Sequence, residues 1–178
     1  RAISPDGKTV AIPIIERGFL TLRSVETGEL KGTLEGDNKN RGFKFVVFSS
    51  DGKTVATTSN GENTIILWDV DTSQLKTTLK GHKSQTNCVT FAPDGKTLAS
   101  GGGSSGVLSG VLGEIKIWDA ASGEVRATLK GDIQQVNFLD FSPDGKTLVS
   151  GSGRSGTPGE VTIWDVENAK QKTILRGH

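Results

Sequence analysis

Apolar and polar residues alternate with a period of two in short segments along the chain, and turns rich in glycine, proline and aspartate separate these segments. Ile115 and Ile117, for example, alternate with Lys116 and Trp118. A period of two is typical of strands, because successive side chains of a strand point to opposite faces of a sheet. No window keeps the period of a helix. The pattern therefore predicts an all-β protein.

Four such segments recur in each of several consecutive stretches of the chain. The third stretch places them at residues 86–91, 97–101, 114–118 and 124–129. The first stretch has only the tail of its first segment, at 1–4, followed by segments at 9–15, 18–23 and 30–34. Pro13 lies in the second of these. Since proline is tolerated at a sheet edge or bulge, a shortened neighbouring strand would make this position less costly.

Three short markers repeat in constant order. The turn Asp-Gly-Lys-Thr occurs four times, with its aspartates 43 to 50 residues apart, at Asp6, Asp51, Asp94 and Asp144. A Trp-Asp pair begins at Trp68, Trp118 and Trp164, and Arg23-Ser24 takes its place in the first stretch. A glycine followed by aspartate or histidine occurs at Gly36, Gly81, Gly131 and Gly177. The shared order indicates four repeats of one supersecondary unit.

These markers resemble those of the WD-repeat (WD40) β-propeller family, and the resemblance extends over all 178 residues. The sequence of residues 93–101 is similar to that of bacterial, especially cyanobacterial-type, members of the family. The resemblance implies blades of four antiparallel strands arranged around a channel. We expect one continuous unit of four blades at residues 1–37, 38–82, 83–132 and 133–178, with the inner strand of the first blade largely missing.

Four blades leave the ring incomplete, since members of this family mostly have about seven blades. An open arc exposes the apolar faces of its first and last blades, which favours pairing with another surface. Two arrangements are expected: two copies close an eight-bladed ring, or the chain is a fragment of a longer propeller in a larger regulatory or sensor protein. Closure of four blades alone is the least expected.

The resemblance also implies a structural hydrogen-bond network. In the family a histidine, a serine or threonine on the second strand, an aspartate and the tryptophan form it, and His82, Ser100 and Trp118 match three of these positions. No aspartate occurs in the loop 101–113, so either Glu114 replaces it or the network is incomplete. Two other repeats keep only part of the network, through Thr57 with Trp68 and Ser150 with Trp164.

The resemblance further implies that the loops between the fourth and first strands and between the second and third strands share one face, which commonly binds partners in the family. These loops differ most between repeats, and variable loops on a constant scaffold commonly encode binding specificity. The candidate residues are Lys39, Arg41, Lys83, Gln85, Val107, Leu108, Gln134 and Arg154. Val111 and Leu112 either extend a strand or anchor a partner.

A cation recurs on the fourth strand of every repeat, at Lys31, Lys76, Arg126 and Lys172. One interpretation is that charge on an exposed edge prevents aggregation. The other is a groove for an acidic partner or nucleic acid. The formal net charge of +1 favours the first, because nucleic-acid binders usually carry a basic excess.

No motif predicts catalysis, a metal or a cofactor. The Gly-Lys-Thr turns lack the glycine that a phosphate-binding loop requires five residues earlier. The sequence has two histidines and no convergent cluster of ionisable residues. Its one cysteine, Cys88, is expected to be a small buried apolar residue.

The sequence therefore predicts a non-enzymatic scaffold that binds a protein or peptide, or a half-propeller that assembles with itself. Neither nucleic acid nor a membrane is expected as a partner, since no apolar run approaches the ~18–20 residues of a membrane span. A cytoplasmic location is expected, although the chain does not begin with methionine.

Overall fold

A computed structural model describes residues 2–14, 18–36, 42–103, 113–131, 135–153 and 158–176. In these ranges sixteen strands form four antiparallel sheets of four strands, and within each sheet every strand pairs with the next one along the chain. The predicted all-β class and the predicted blades of four antiparallel strands are confirmed. The described residues form no helix, and so none long and apolar enough to cross a membrane.

The strands follow the chain in four groups. Sheet 1 contains β1 (Ala2–Ile3), β2 (Thr9–Ile14), β3 (Phe19–Ser24) and β4 (Leu30–Glu35). Sheet 2 contains β5 (Phe43–Phe48), β6 (Thr54–Ser59), β7 (Thr64–Asp69) and β8 (Leu75–Lys80). Sheet 3 contains β9 (Thr86–Phe91), β10 (Thr97–Gly102), β11 (Glu114–Asp119) and β12 (Val125–Leu129). Sheet 4 contains β13 (Val136–Phe141), β14 (Thr147–Ser152), β15 (Glu160–Asp165) and β16 (Lys170–Leu175).

Hydrogen bonds within the Asp-Gly-Lys-Thr turn explain why it recurs. In sheet 2, Ser49 Oγ donates to Asp51 Oδ1 over 2.6 Å and accepts from the Thr54 amide over 3.0 Å. Gly52 adopts a φ of 71°, a conformation that other residues rarely take. Sheets 1 and 4 repeat these side-chain bonds. The serine before the turn, the aspartate and the threonine amide thus satisfy one another's polar groups in a tight link between the first two strands.

The third turn reaches the same result with different chemistry. Ala92 replaces the serine there, and Asp94 Oδ1 accepts from the Thr97 amide over 2.8 Å. The other carboxylate oxygen of Asp94 accepts from Thr97 Oγ1 over 2.8 Å. A carboxylate can therefore close the turn without the serine hydroxyl.

Each sheet has two apolar faces. We call the face toward the following sheet the leading face and the face toward the preceding sheet the trailing face. The corresponding faces of the first and last sheets take the same names. In sheet 3 the leading face carries Ala99, Ile115 and Ile117, and the trailing face carries Leu98 and Trp118. Three apolar cores lie between consecutive sheets, and the leading face of one sheet meets the trailing face of the next in each.

The end sheets have one covered face each. Among the described strands, the broad contacts between sheets join sheet 1 to 2, 2 to 3, and 3 to 4. The leading face of sheet 4 is consequently open: Leu175 is 50% exposed, whereas Leu129 at the same position of sheet 3 is fully buried. In sheet 1, β1 pairs with β2 only at Ala11 and Val10. Pro13 lies beyond this pairing and has its ladder partner, Leu20, on the other side.

Candidate functional site

A buried chain of hydrogen bonds joins sheets 2 and 3. Trp118 Nε1 donates to Ser100 Oγ over 2.7 Å, and Ser100 Oγ lies 2.6 Å from Nε2 of His82, which follows β8. His82 Nδ1 lies 3.1 Å from Glu114 Oε1. Since Glu114 accepts as a carboxylate, its neighbours place the imidazole proton on Nδ1 and leave Nε2 to accept from the serine hydroxyl. The structure thus brings together the three residues that the family pattern matched.

Glu114 occupies the acidic position of this network. Its Oε1 also accepts from the Lys83 amide over 2.9 Å, and its Oε2 lies 3.4 Å from Lys116 Nζ. Partial burial alone would raise the pKa of Glu114, but the Lys83 amide, His82 and Lys116 together lower it. Burial lowers the pKa of His82 more than the neighbouring carboxylate raises it. The network therefore favours a neutral histidine beside an ionised glutamate.

The order serine, histidine, acid also occurs in hydrolase triads. Here the Ser100 and His82 side chains are buried, and Ser100 Oγ accepts a hydrogen bond from Trp118 Nε1. A substrate carbonyl could not reach this hydroxyl without displacing the tryptophan. The arrangement can link two sheets, and it offers no open nucleophile.

Two other repeats contain shorter versions of the network. Trp68 Nε1 donates to Thr57 Oγ1 over 2.9 Å, and Trp164 Nε1 donates to Ser150 Oγ over 2.8 Å. Both acceptors are buried. Sheet 1 has Arg23 at the tryptophan position, and the Arg23 guanidinium donates to the Gly28 carbonyl over 2.9 Å.

The predicted partner-binding face is described at two of its candidate residues, Lys83 and Gln85. Lys83 is exposed, and Gln85 is half-buried. With its amide oriented to satisfy its neighbours, Gln85 Oε1 lies 3.3 Å from the Gly61 amide and 3.1 Å from Lys44 Nζ. The remaining candidates lie outside the described residues: Lys39, Arg41, Val107, Leu108, Gln134 and Arg154. Val111 and Leu112 lie outside them as well.

Lys44 and Asn87 form a polar pair beside Gln85 that the sequence analysis missed. Lys44 Nζ donates to Asn87 Oδ1 over 2.9 Å, and Asn87 Nδ2 donates to the Gly103 carbonyl over 2.9 Å. Burial lowers the pKa of Lys44. A signal was present, because Lys44 interrupts the otherwise apolar segment 43–48 at the position that Asn87 and Asn137 hold in later repeats.

The recurring cations of the fourth strands make a contact that their sequence pattern did not predict. Each one reaches across its own sheet to the threonine of the Asp-Gly-Lys-Thr turn. The joined atoms are Lys31 Nζ and Thr9 Oγ1 at 2.8 Å, Lys76 Nζ and Thr54 Oγ1 at 3.2 Å, Arg126 Nη1 and Thr97 Oγ1 at 3.1 Å, and Lys172 Nζ and Thr147 Oγ1 at 3.5 Å. The shared contact ties the outer strand of each sheet to its second strand.

The aspartate of each Trp-Asp pair shapes the following turn. Asp119 Oδ1 accepts from the amides of Ala121 and Ser122 over 2.8 and 2.9 Å, and Oδ2 pairs with Arg126. These bonds lower the pKa of Asp119 to about 2. Asp165 forms a similar turn with Asn168 and pairs with Lys172. Within the described ranges, no group of three or more His, Cys, Asp or Glu side chains could hold a metal ion.

Three segments of the chain, 28–69, 73–119 and 123–165, match the family model described as WD40: WD domain, G-beta repeat. Together they cover well over half of the 178 residues, so the chain belongs to the WD40 repeat family. Each segment contains the outer strand of one sheet and the first three strands of the next. No curated protein matches the chain. The WD40 repeats and the blade-like sheets suit a protein-interaction scaffold, since WD40 domains commonly bind other proteins.

Proposed function

We propose that this chain is a non-enzymatic scaffold that binds a protein or peptide at its loop face, the face on which Lys83 and Gln85 lie. The difference between the two faces carries this proposal. The opposite face repeats one turn four times, and the aspartate and threonine of that turn bond to each other or to neighbours in their own sheet. The loop face differs from repeat to repeat, as expected for a surface that recognises a particular partner.

Lys83 and Lys44 provide hydrogen-bond donors in the described part of the loop face. Lys83 is exposed, and the Lys44 ammonium group donates two of its three possible hydrogen bonds, to Asn87 and Gln85. The partner that fits is a protein segment with carboxylate or carbonyl acceptors. Glu114 contributes by holding the Lys83 amide, which fixes the backbone from which the Lys83 side chain extends.

Site-specific photo-crosslinking tests the loop face. A photoreactive residue replaces Lys83 in one variant and Lys53 in the other, since both are exposed lysines and Lys53 lies in the opposite-face turn. After irradiation in cells, mass spectrometry should identify the same discrete partner at position 83 in independent experiments and not at position 53. Equal capture at the two positions, or capture at position 53 alone, would contradict the proposal.

A second candidate function is self-assembly, in which two copies close an eight-bladed ring. The observation that favours it is the set of large apolar side chains exposed on the end sheets, because such patches commonly mark interaction sites. They include Ile3, Ile14, Phe138 and Leu175. Light scattering after size exclusion should then give twice the chain mass of 18.8 kDa. A monomer at every concentration would contradict self-assembly and leave the loop-face proposal intact.

A further inference from the structure

Every covered interface between sheets follows one packing rule. A row of aliphatic side chains on the leading face of one sheet packs against the trailing face of the next sheet. Between sheets 2 and 3, Ile65, Leu67 and Leu79 are buried against Leu98 and Trp118. The same strand positions meet between sheets 1 and 2 and between sheets 3 and 4. The rule defines what each uncovered face should receive.

The leading face of sheet 4 keeps the aliphatic row, and none of the described strands packs against it as a neighbouring sheet. Val161, Ile163 and Leu175 hold the positions that Ile115, Ile117 and Leu129 hold in sheet 3. All three side chains in sheet 3 are buried, whereas those in sheet 4 are half-buried or exposed. This surface has the composition of a core and lacks the second layer.

The trailing face of sheet 1 is the other unmatched surface. Ile3 and Val10 lie side by side on it, and Val25 follows β3 at the position of Ala120 in sheet 3. Val25 is 48% exposed, whereas Ala120 is 7% exposed because it packs on sheet 2. This surface has the composition of a trailing face and lacks a leading face to rest on.

Each uncovered face has a charged side chain at a position where the covered faces have an uncharged one, and the two charges are opposite. Asp140 lies on the leading face of sheet 4, in the row of Val149 and Ile163, at the position of Val47 and Thr90. Its side chain is exposed and makes no hydrogen bond or ion pair within the described ranges. Arg23 lies on the trailing face of sheet 1, in the row of Val10. Opposite charges favour the pairing of these two faces over the pairing of either face with itself.

We propose that the leading face of sheet 4 binds the trailing face of sheet 1 of a second copy, head to tail, and that Asp140 and Arg23 select this pairing. The inference rests on the self-assembly proposed above. A second copy is the occupant because one chain carries both complementary halves. A head-to-tail contact repeated twice closes a ring, in which no end face remains uncovered. The interface between copies would differ from the internal ones, since it has arginine in place of tryptophan.

Charge reversal tests the pairing. The variants are Arg23→Asp, Asp140→Arg and the double variant, and the measurement is molar mass by light scattering over a range of protein concentrations. Each single variant places like charges at both contacts of the ring, so we expect its dimer dissociation constant to rise at least about tenfold. The double variant restores opposite charges and should recover most of the native affinity. Added salt should reduce these differences.

The outcomes separate the pairing from the assembly. If the native chain dimerises but the double variant does not recover, self-assembly stands and the pairing of Asp140 with Arg23 is overturned. If the native chain is monomeric at every concentration, self-assembly itself fails. Circular dichroism and thermal unfolding of each variant establish that a loss of mass is not a loss of fold.

An apolar pair of variants provides a control that does not depend on charge complementarity. Phe138, on the leading face of sheet 4, and Leu75, on the outer strand β8, are each 54% exposed. Phe138→Glu should convert the dimer to a monomer, because it places a carboxylate in the interface. Leu75→Glu should leave the dimer unchanged. Equal effects of the two substitutions would overturn the proposed surface.

Discussion

Sheets 3 and 1 have the same strand order, and they differ in what covers their trailing faces. Sheet 3 rests on sheet 2, and there Leu98, Ser100 and Trp118 are fully buried. Sheet 1 has no described sheet on that side, and Ile12 and Arg23 replace the serine and the tryptophan. The Trp-Ser or Trp-Thr pair therefore occurs in the three sheets with a covered trailing face. This comparison indicates that the motif belongs to an interface between two sheets more than to any one sheet.

Removing the tryptophan is the largest expected break in this comparison. Trp118→Ala should lower the free energy of unfolding by about 3–5 kcal/mol, because it empties a buried volume between sheets 2 and 3. Arg23→Ala at the corresponding position should change it by about 0.5 kcal/mol or less, since the arginine fills no core. Urea unfolding followed by circular dichroism measures both. A large loss for Arg23→Ala would contradict the assignment of that face as open in the single chain.

Removing the serine hydroxyl should have the next largest effect. Ser100→Ala leaves Trp118 Nε1 and His82 Nε2 buried without their shared partner, at about 1–3 kcal/mol. Ser150→Ala should cost less, since among the described groups only Trp164 loses its partner. Denaturant unfolding of the two variants under the same conditions measures how much more stability the full network provides than the shorter one. Equal losses would indicate that the histidine and glutamate add nothing to the link.

His82 should make stability depend on pH. Burial lowers its pKa in the folded state, so below its ordinary pKa of 6.5 the unfolded chain binds the proton more readily. The stability associated with the neutral imidazole is therefore complete above that pH and is lost as the pH falls. The pKa of Glu114 is lowered as well, so the stability associated with its ionised form should be lost only at lower pH, below its ordinary pKa of 4.5.

Thermal unfolding between about pH 7 and about pH 5 measures this dependence. Native protein should lose stability over the range, and His82→Gln should show a flatter profile. His178 is present in both proteins, so its titration cancels from the comparison. The same slope in both would show that another group is responsible.

The contacts between the recurring cations of the fourth strands and the turn threonines should give the smallest effect. Lys76→Ala removes the bond to Thr54 and should cost about 0.2–1 kcal/mol, since Lys76 is exposed to solvent. The Lys80 side chain, four positions later, makes no hydrogen bond or ion pair in the described part of the chain, and Lys80 serves as the matched control. Chemical denaturation should give Lys80→Ala the same free energy of unfolding as the native protein. A loss at Lys80 equal to that at Lys76 would assign the effect to net charge.

Local patterning determined the strands well. The predicted segment 86–91 coincides with β9, and the predicted 97–101 and 114–118 each end one residue before β10 and β11 do. The predicted 124–129 begins one residue before β12, because the Glu124 carbonyl accepts from the Asp119 amide and closes the turn. Alternation defines which residues face a core, whereas hydrogen bonds of the turns set the last residue of a strand.

The candidate site was less accessible to sequence reasoning. Family positions indicated His82, Ser100 and Trp118, and the structure places them within hydrogen-bond distance. Whether Glu114 joined them depended on the path of the chain before β11, which spacing alone did not determine. The contacts of the fourth-strand cations were missed because they pass over the third strand and join residues 22 to 29 positions apart. That the network stabilises the fold, and that the loop face binds a partner, stay predictions.

The difference between covered and uncovered apolar faces is tested most directly by thiol labelling at matched positions. Ile117→Cys and Ile163→Cys place a thiol at the same position of sheets 3 and 4, and native Cys88 is a silent background because burial raises its pKa to about 12. We predict that position 117 resists labelling at every protein concentration. Position 163 should react rapidly in dilute solution and become protected as the concentration rises and a second copy covers it. Equal reactivity at 163 across all concentrations would contradict the account.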